Sequence, residues 1–289
     1  MKRPLNWRVT TQLRPRFCPA QHTFAAPAPQ ASELIVSVTS HVDRYFPVSE
    51  KKAMKNIWAA LQFLTIARRH RKVEMSAAEI GSAIFYFPLV GFALGLILAG
   101  LNYLLEPYLE SEILGTVHVT ILILMTGAVH LEETQRTFDL LSIRSQPGRA
   151  AGGSLGIYGL LALLLIVLFK IRAIEVIGET RSLTLLLTPA LARWAPVMLV
   201  YGSSPAVNDS ACIAEQVRSW QLVVATALIL AVAGYFVGIA GLWVGLSLSL
   251  LALFSRIYVN RRSGGFCRDD LGLLIELSES LSFVLLASL

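Results

Sequence analysis

Long apolar stretches constrain the fold of this chain more than any other feature. They lie at roughly 81–105, 114–131, 155–175, 183–202, 220–238, 240–256 and 270–289. An α-helix crosses a bilayer with about 20 apolar residues, so each stretch is close to the required length. The chain is only 15% charged, whereas soluble domains carry about 25%. We predict an all-α, polytopic membrane bundle with about seven transmembrane helices.

The N-terminal region differs from the rest of the chain. Residues 1–53 hold eight Lys/Arg and three Asp/Glu, whereas the remaining residues hold 17 and 16. No apolar segment typical of a signal peptide follows the basic start. We expect 1–53 to be a disordered basic extension or upstream sequence that the cell does not translate, and 54–289 to be the membrane domain. The near-neutral charge of that domain argues against nucleic-acid binding.

Basic residues in the connecting segments predict the orientation in the membrane. Segments 68–72, 132–154 and 257–269 carry arginines. Segment 106–113 carries glutamates and no basic residue. Cytoplasmic segments are enriched in Lys and Arg, so the first three are expected on the cytoplasmic side of the inner (plasma) membrane. The apolar segment Met54–Ala67 is too short to cross and is expected to lie at the interface.

The acidic segment from His130 to Asp139 is the first candidate site. Glu132 and Asp139 are seven residues apart, so they share one face if the segment is helical. Glu132 and Arg136 have the i,i+4 spacing of an ion pair. Carboxylates beside a membrane suit Mg²⁺, which binds carboxylates together with phosphate oxygens. The spacing is equally typical of a solvated helix with ordinary salt bridges.

Two glycine-rich segments are further candidates. Gly156 and Gly159 end a run that begins at Gly148, and Gly264 and Gly265 precede the last apolar stretch. Glycine turns at helix starts expose backbone N–H groups that bind phosphate. Glycines in a membrane helix also allow neighbouring helices to approach closely, and the sequence leaves both readings open.

Charged residues within the apolar stretches form the third group. Glu276 and Glu279 lie one turn apart in the last stretch, downstream of Asp269. Acidic residues inside a membrane are functional by default, although Arg193 or Lys170 could neutralise this pair for packing alone. Arg193 also suits phosphate, with Glu276 as its expected partner, and Lys170 could instead extend to the outer interface.

Five motifs in chain order resemble the cobalamin synthase family, adenosylcobinamide-GDP ribazoletransferase. They are Met54-Lys55 with Ala60-Leu61-Gln62-Phe63-Leu64-Thr65, Phe87-Pro88-Leu89-Val90-Gly91 with Gly95, Gly127 to Leu140, Ala190-Leu191-Ala192-Arg193-Trp194-Ala195, and Gly264-Gly265 to Glu279. The resemblance covers Met54 to Leu289.

The acidic motif departs from the family pattern G-A-x-H-L-D-G-L-A-D-T-x-D-G. Its first Asp is Glu132 here, its first Gly is Glu133 and its second Asp is Arg136, whereas Asp139 is retained. The family's D-S-R-x-G-T-x-G also loses its Asp and Arg. An Arg at a metal-ligating position could expel the metal or replace part of its charge.

The resemblance implies that α-ribazole, or its 5′-phosphate, joins adenosylcobinamide-GDP with release of GMP and with Mg²⁺ as cofactor. The implied catalytic residues are Asp139, Glu132 and Glu276, the implied metal ligands are Glu132, Asp139, Asp269 and Glu279, and the implied substrate-binding residues are Arg193, Gly156, Gly159, Gly264 and Gly265. Two alternatives remain at this point. One is an inactive paralogue that binds a corrinoid or nucleotide, or that scaffolds the pathway; the other is a transporter, which the absence of polar residues gathered at the midplane disfavours. A homo-oligomer or association with other cobalamin-pathway enzymes is also left open.

Overall fold

The computed structural model describes residues 50–67, 75–145, 156–203, 213–214, 216–263 and 265–288, with the backbone alone at 50, 141–145 and 263. Most of the expected extension 1–53, the glycine run up to residue 155, and Gly264 lie outside these residues. The first described helix begins at Glu50, four residues before Met54. The boundary at Met54 stays a prediction.

The described residues are mostly helical, which confirms the all-α prediction. The helices are α1 Glu50–Leu64, α2 Ala77–Ala83, α3 Phe87–Leu105, α4 Ser111–Thr126, α5 Val129–Ser145, α6 Ile157–Val176, α7 Arg181–Val200, α8 Ser219–Val237, α9 Ile239–Ser263 and α10 Arg268–Ala287. A 3₁₀ turn, Ile84–Tyr86, joins α2 to α3.

The predicted count of seven membrane spans is not confirmed. Among the described residues, five helical segments are long and apolar enough to cross a membrane, or six if the bent pair α4 and α5 counts as one. Helix α10 does not qualify, because Asp269, Asp270, Glu276 and Glu279 make it too charged. The apolar pattern placed the helix correctly, and its acidic residues were noted there, but apolar length alone does not make such a helix a span.

Helix α7 lies at the centre of the bundle and packs against α3, α8, α9 and α10. Its close crossing with α3 depends on Gly91 and Gly95. A Cβ atom at Gly91 would collide with the carbonyl oxygen of Pro189, and one at Gly95 with that of Leu186. The family-like G-x-x-x-G spacing therefore packs two helices together, as small residues commonly do in membranes. This crossing fixes α7, which carries Arg193, within the bundle.

A sharp bend separates α4 from α5. The two helices meet at 88°, where Gly127 and Ala128 both have positive φ, at 65° and 58°. Glycine adopts this left-handed conformation without steric cost and commonly ends helices. The acidic segment, expected to connect two spans, consequently forms most of a separate helix that packs against α6 and α10.

Candidate functional site

Three charged side chains meet where α5 packs against the beginning of α10. The Arg136 guanidinium donates a hydrogen bond to Glu132, and its Nη1 lies 3.8 Å from Asp269 Oδ1. The predicted i,i+4 pair of Glu132 and Arg136 is thus confirmed. Both side chains are more than half exposed, and Asp269 is about one-third exposed. This exposed cluster, Glu132, Arg136 and Asp269, carries two negative charges and one positive charge that solvent can reach.

Asp139 of α5 contacts the beginning of α6. Its Oδ2 accepts the N–H of Gly156 at 3.1 Å and its Oδ1 accepts the N–H of Gly159 at 2.9 Å. Gln135 donates to the same carboxylate at 3.4 Å. The first N–H groups of a helix lack partners within the helix, so this carboxylate caps α6 from another helix. A Cβ atom at either glycine would collide with Asp139, which explains why both positions are glycine.

Glu133 is a buried acidic residue that the sequence reasoning did not select. It is 1% exposed, and its Oε2 lies 3.1 Å from Nδ1 of His130, which is fully buried. A Cβ atom at Gly272 of α10 would collide with Glu133, so the carboxylate lies directly against that glycine. The i,i+3 spacing of His130 and Glu133 was the one available signal.

A second charged group lies inside the bundle. Lys170 Nζ of α6 donates to Glu276 Oε2 at 2.6 Å and to Glu279 Oε2 at 2.7 Å, both on α10. Arg193 Nη1 of α7 donates to Glu279 Oε1 at 2.5 Å. None of the four side chains is more than 6% exposed. This buried network, Lys170, Arg193, Glu276 and Glu279, has two charges of each sign and holds three helices together.

The buried network corrects two expectations. Arg193 pairs with Glu279 and not with Glu276, which is bonded to Lys170. Lys170 does not extend to the outer interface, because its side chain is 4% exposed and lies between the two acids. A buried lysine needs partners of opposite charge. The alternative in which Lys170 or Arg193 neutralises the acidic pair is confirmed, because both cations bond to it.

The predicted site residues fall into two separate places. Glu132 and Asp269 meet through Arg136, and Asp139 meets Gly156 and Gly159, all around α5. Gly265 is buried just before α10. Gly264 lies outside the described residues. Glu276, Glu279 and Arg193 are enclosed between helices in the buried network.

The predicted magnesium ligands do not fit the ion as they are arranged. No three His, Cys, Asp or Glu side chains among the described residues are grouped so that they could hold a metal. Arg136 contacts two of the four predicted ligands, Asp139 caps α6, and Glu279 lies between Lys170 and Arg193. Mg²⁺ requires near-ideal octahedral oxygen geometry, so each ligand would have to exchange partners. Magnesium remains a prediction that a binding measurement must test.

The family model described as Cobalamin-5-phosphate synthase matches residues 56–287. The chain belongs to this family. The match includes the helices that carry the exposed cluster, the Asp139 cap and the buried network. The resemblance inferred from the five motifs is thereby confirmed.

Curated relatives support the same assignment. A protein of Geotalea daltonii named adenosylcobinamide-GDP ribazoletransferase is 30% identical over 238 residues, covering 80% of this chain and 96% of its own length. Proteins of the same name from Thermoanaerobacter sp. and Acinetobacter baumannii are 27% and 28% identical, covering 81% and 79% of this chain and 98% and 95% of their own lengths. No solved structure matches the chain.

Proposed function

We propose that this membrane protein is an adenosylcobinamide-GDP ribazoletransferase of cobalamin biosynthesis. The family match over residues 56–287 carries the proposal, and relatives that align over nearly their whole length have this name. The relatives favour the transferase over an inactive paralogue. The substrates are adenosylcobinamide-GDP and α-ribazole or its 5′-phosphate.

The reaction is a displacement at phosphorus. A hydroxyl oxygen of α-ribazole attacks the phosphorus atom attached to cobinamide, and the bond from that atom to the bridging oxygen of the diphosphate breaks. GMP leaves with the bridging oxygen, and the hydroxyl proton passes to a base. Such reactions depend mainly on positioning and on stabilising phosphate charge.

The exposed cluster suits this chemistry better than the buried network does. The Glu132 side chain is 56% exposed, so substrate can reach it, and we assign it the role of base. The N-termini of α6 and α10 both lie beside α5. A helix N-terminus favours negative charge such as that of a phosphate group. Asp139 positions the α6 N-terminus through Gly156 and Gly159. Burial of Glu276 and Arg193 favours a role in holding the bundle together.

The candidate spans and the arginine-bearing segments support the proposed location. We place the protein in the inner membrane, in contact with lipid along its apolar helices, with α5 and the beginning of α10 on the cytoplasmic side. Water-soluble nucleotide substrates would then reach the exposed cluster from the cytoplasm. A homo-oligomer or association with other enzymes of the pathway stays a prediction.

Complementation provides the test. The full chain is expressed in a strain that lacks cobalamin synthase, and isolated membranes are assayed for GMP and for the joined corrinoid product. We expect product from the wild type and from the control Glu112→Gln, because Glu112 is an exposed acid on α4. Asp139→Ala should lower turnover strongly, because the α6 N-terminus loses its anchor. Correctly inserted wild-type protein without product would instead support the inactive paralogue.

A further inference from the structure

The exposed cluster places a guanidinium between two carboxylates of different helices. Arg136 bonds Glu132 on its own helix and lies 3.8 Å from Asp269 on α10. The carboxylate of Glu133 also acts electrostatically on Arg136. Carboxylates that share one site repel one another, and a cation between them relieves that repulsion. The chain provides that cation from its own sequence.

Arg136 and a divalent cation would compete for the same oxygen atoms. The guanidinium stays protonated at every pH a protein tolerates and donates from a rigid planar fork. A divalent ion would use the carboxylate oxygens as ligands, but it cannot approach both while the guanidinium lies between them. Electrostatic repulsion between two cations adds to the exclusion.

Stability does not account for this arrangement. Exposed ion pairs contribute about 0–1 kcal/mol, and both partners of the Glu132–Arg136 pair are more than half exposed. Removing Arg136 should therefore leave the bundle folded. The effect of Arg136 on charge and on cation binding can then be measured separately from folding.

We infer that Arg136 occupies the position that a divalent cation would need between Glu132 and Asp269, so that the native chain binds no such ion there. The inference deepens the proposed function, because it makes the guanidinium the fixed cation of that site. Replacing Arg136 with Asp removes the competing cation and adds a third carboxylate, so Arg136→Asp should create a divalent-cation site.

Manganese provides a direct probe. The full-length protein is purified in detergent and freed of metal with EDTA, and free Mn²⁺ is followed by electron paramagnetic resonance. Arg172→Asp is the matched control, because Arg172 is also exposed and paired with a glutamate, Glu175, but on α6. We expect no saturable binding by the wild type or by Arg172→Asp. Arg136→Asp should bind one Mn²⁺ saturably, removing at least about tenfold more of the ion from solution than the control does at the same low Mn²⁺ concentration, and adding Asp269→Asn should abolish the gain.

Two results would overturn the inference. One is a wild-type protein that binds one Mn²⁺ and loses it in Glu132→Gln or Asp269→Asn. The other is a folded Arg136→Asp protein that binds Mn²⁺ no better than Arg172→Asp does. If Arg136→Asp does not elute as a single folded species, Arg136→Gln against Arg172→Gln replaces it, with the same expected direction. The measurement needs no turnover, so failure of the proposed activity would be seen separately.

Discussion

The exposed cluster and the buried network use the same kinds of side chain in different ways. In the network, Lys170 and Arg193 balance Glu276 and Glu279 completely. In the cluster, one arginine serves two acids, and all three are open to solvent. Burial demands neutral charge because an unpaired ion in a low dielectric is costly. Solvent tolerates a net charge, and exposed side chains stay within reach of other molecules.

The sequence motifs include acids from both the exposed cluster and the buried network. The resemblance assigned chemical roles to acids in both places, because motif positions carry no information on burial. The structure separates them: Glu132 and Asp269 lie at the surface of the bundle, whereas Glu276 and Glu279 connect α10 to α6 and α7. The two groups should therefore respond differently to substitution.

Removing Lys170 should have the largest effect on stability. Lys170→Met leaves two buried glutamates with only Arg193, and breaking a buried ion pair in this way costs about 3–5 kcal/mol. Unfolding of the purified protein in detergent, followed by circular dichroism, measures the loss. The double variant Lys170→Met with Glu276→Gln restores neutrality, so it should recover much of that loss. A double variant no more stable than the single one would show that charge balance is not what the network provides.

The crossing that positions Arg193 should be the next most sensitive feature. A methyl group at Gly95 would collide with the carbonyl oxygen of Leu186, and overpacking of this kind costs about 1–3 kcal/mol. Gly100 lies on the same helix with nothing within 4 Å of its would-be Cβ. Gly100→Ala should therefore be neutral, or stabilising by up to about 1 kcal/mol through helix propensity. Equal unfolding midpoints for Gly95→Ala and Gly100→Ala would contradict the close crossing.

Cys267 tests the charge beside the exposed cluster, with the smallest expected effect. Burial, and next the negative charge of Asp270, raise the pKa of this thiol from 9.0 to about 11. The thiolate is the reactive form, so at pH 8 this shift lowers its fraction about a hundredfold. In a protein with Cys18→Ser and Cys212→Ser, iodoacetamide should react slowly at pH 8 and faster as the pH rises towards 11. Adding Asp270→Asn should accelerate alkylation at pH 8, and an unchanged rate would contradict the assigned influence of Asp270.

The sequence predicted the helical class, the family and most helix positions, because apolar length and ordered motifs are local signals. It also predicted the Glu132–Arg136 pair, since i,i+4 spacing fixes that contact within one helix. It offered Arg193 or Lys170 as the residue that neutralises Glu276 and Glu279, and the structure confirms that alternative. It did not show how the contacts are divided, with Lys170 bonded to both acids and Arg193 to Glu279 alone, because they join residues far apart in the chain. Contacts between helices depend on which faces pack together, and two broadly apolar helices give little indication of this.

Asp139 shows the same limit at the candidate site. Its retention suggested a metal ligand or a base, but the structure gives both of its oxygens backbone N–H partners at Gly156 and Gly159. The 88° bend at Gly127 sets the direction of α5 and so brings Asp139 to the start of α6. No helical or apolar period in the sequence predicted that bend. The conformational freedom of Gly127 was the one local signal.

We expect the exposed acids to serve chemistry and the buried acids to serve the fold. Turnover and unfolding free energy, measured on the same preparations of Glu132→Gln and Glu276→Gln, test it most directly. Glu132→Gln should unfold within about 0.5 kcal/mol of the wild type and lose about a hundredfold or more in turnover, as expected for a missing base. Glu276→Gln should lose about 3 kcal/mol or more of stability, because Lys170 and Arg193 then share one buried acid. A fully active Glu132→Gln together with a stable but inactive Glu276→Gln would contradict the account.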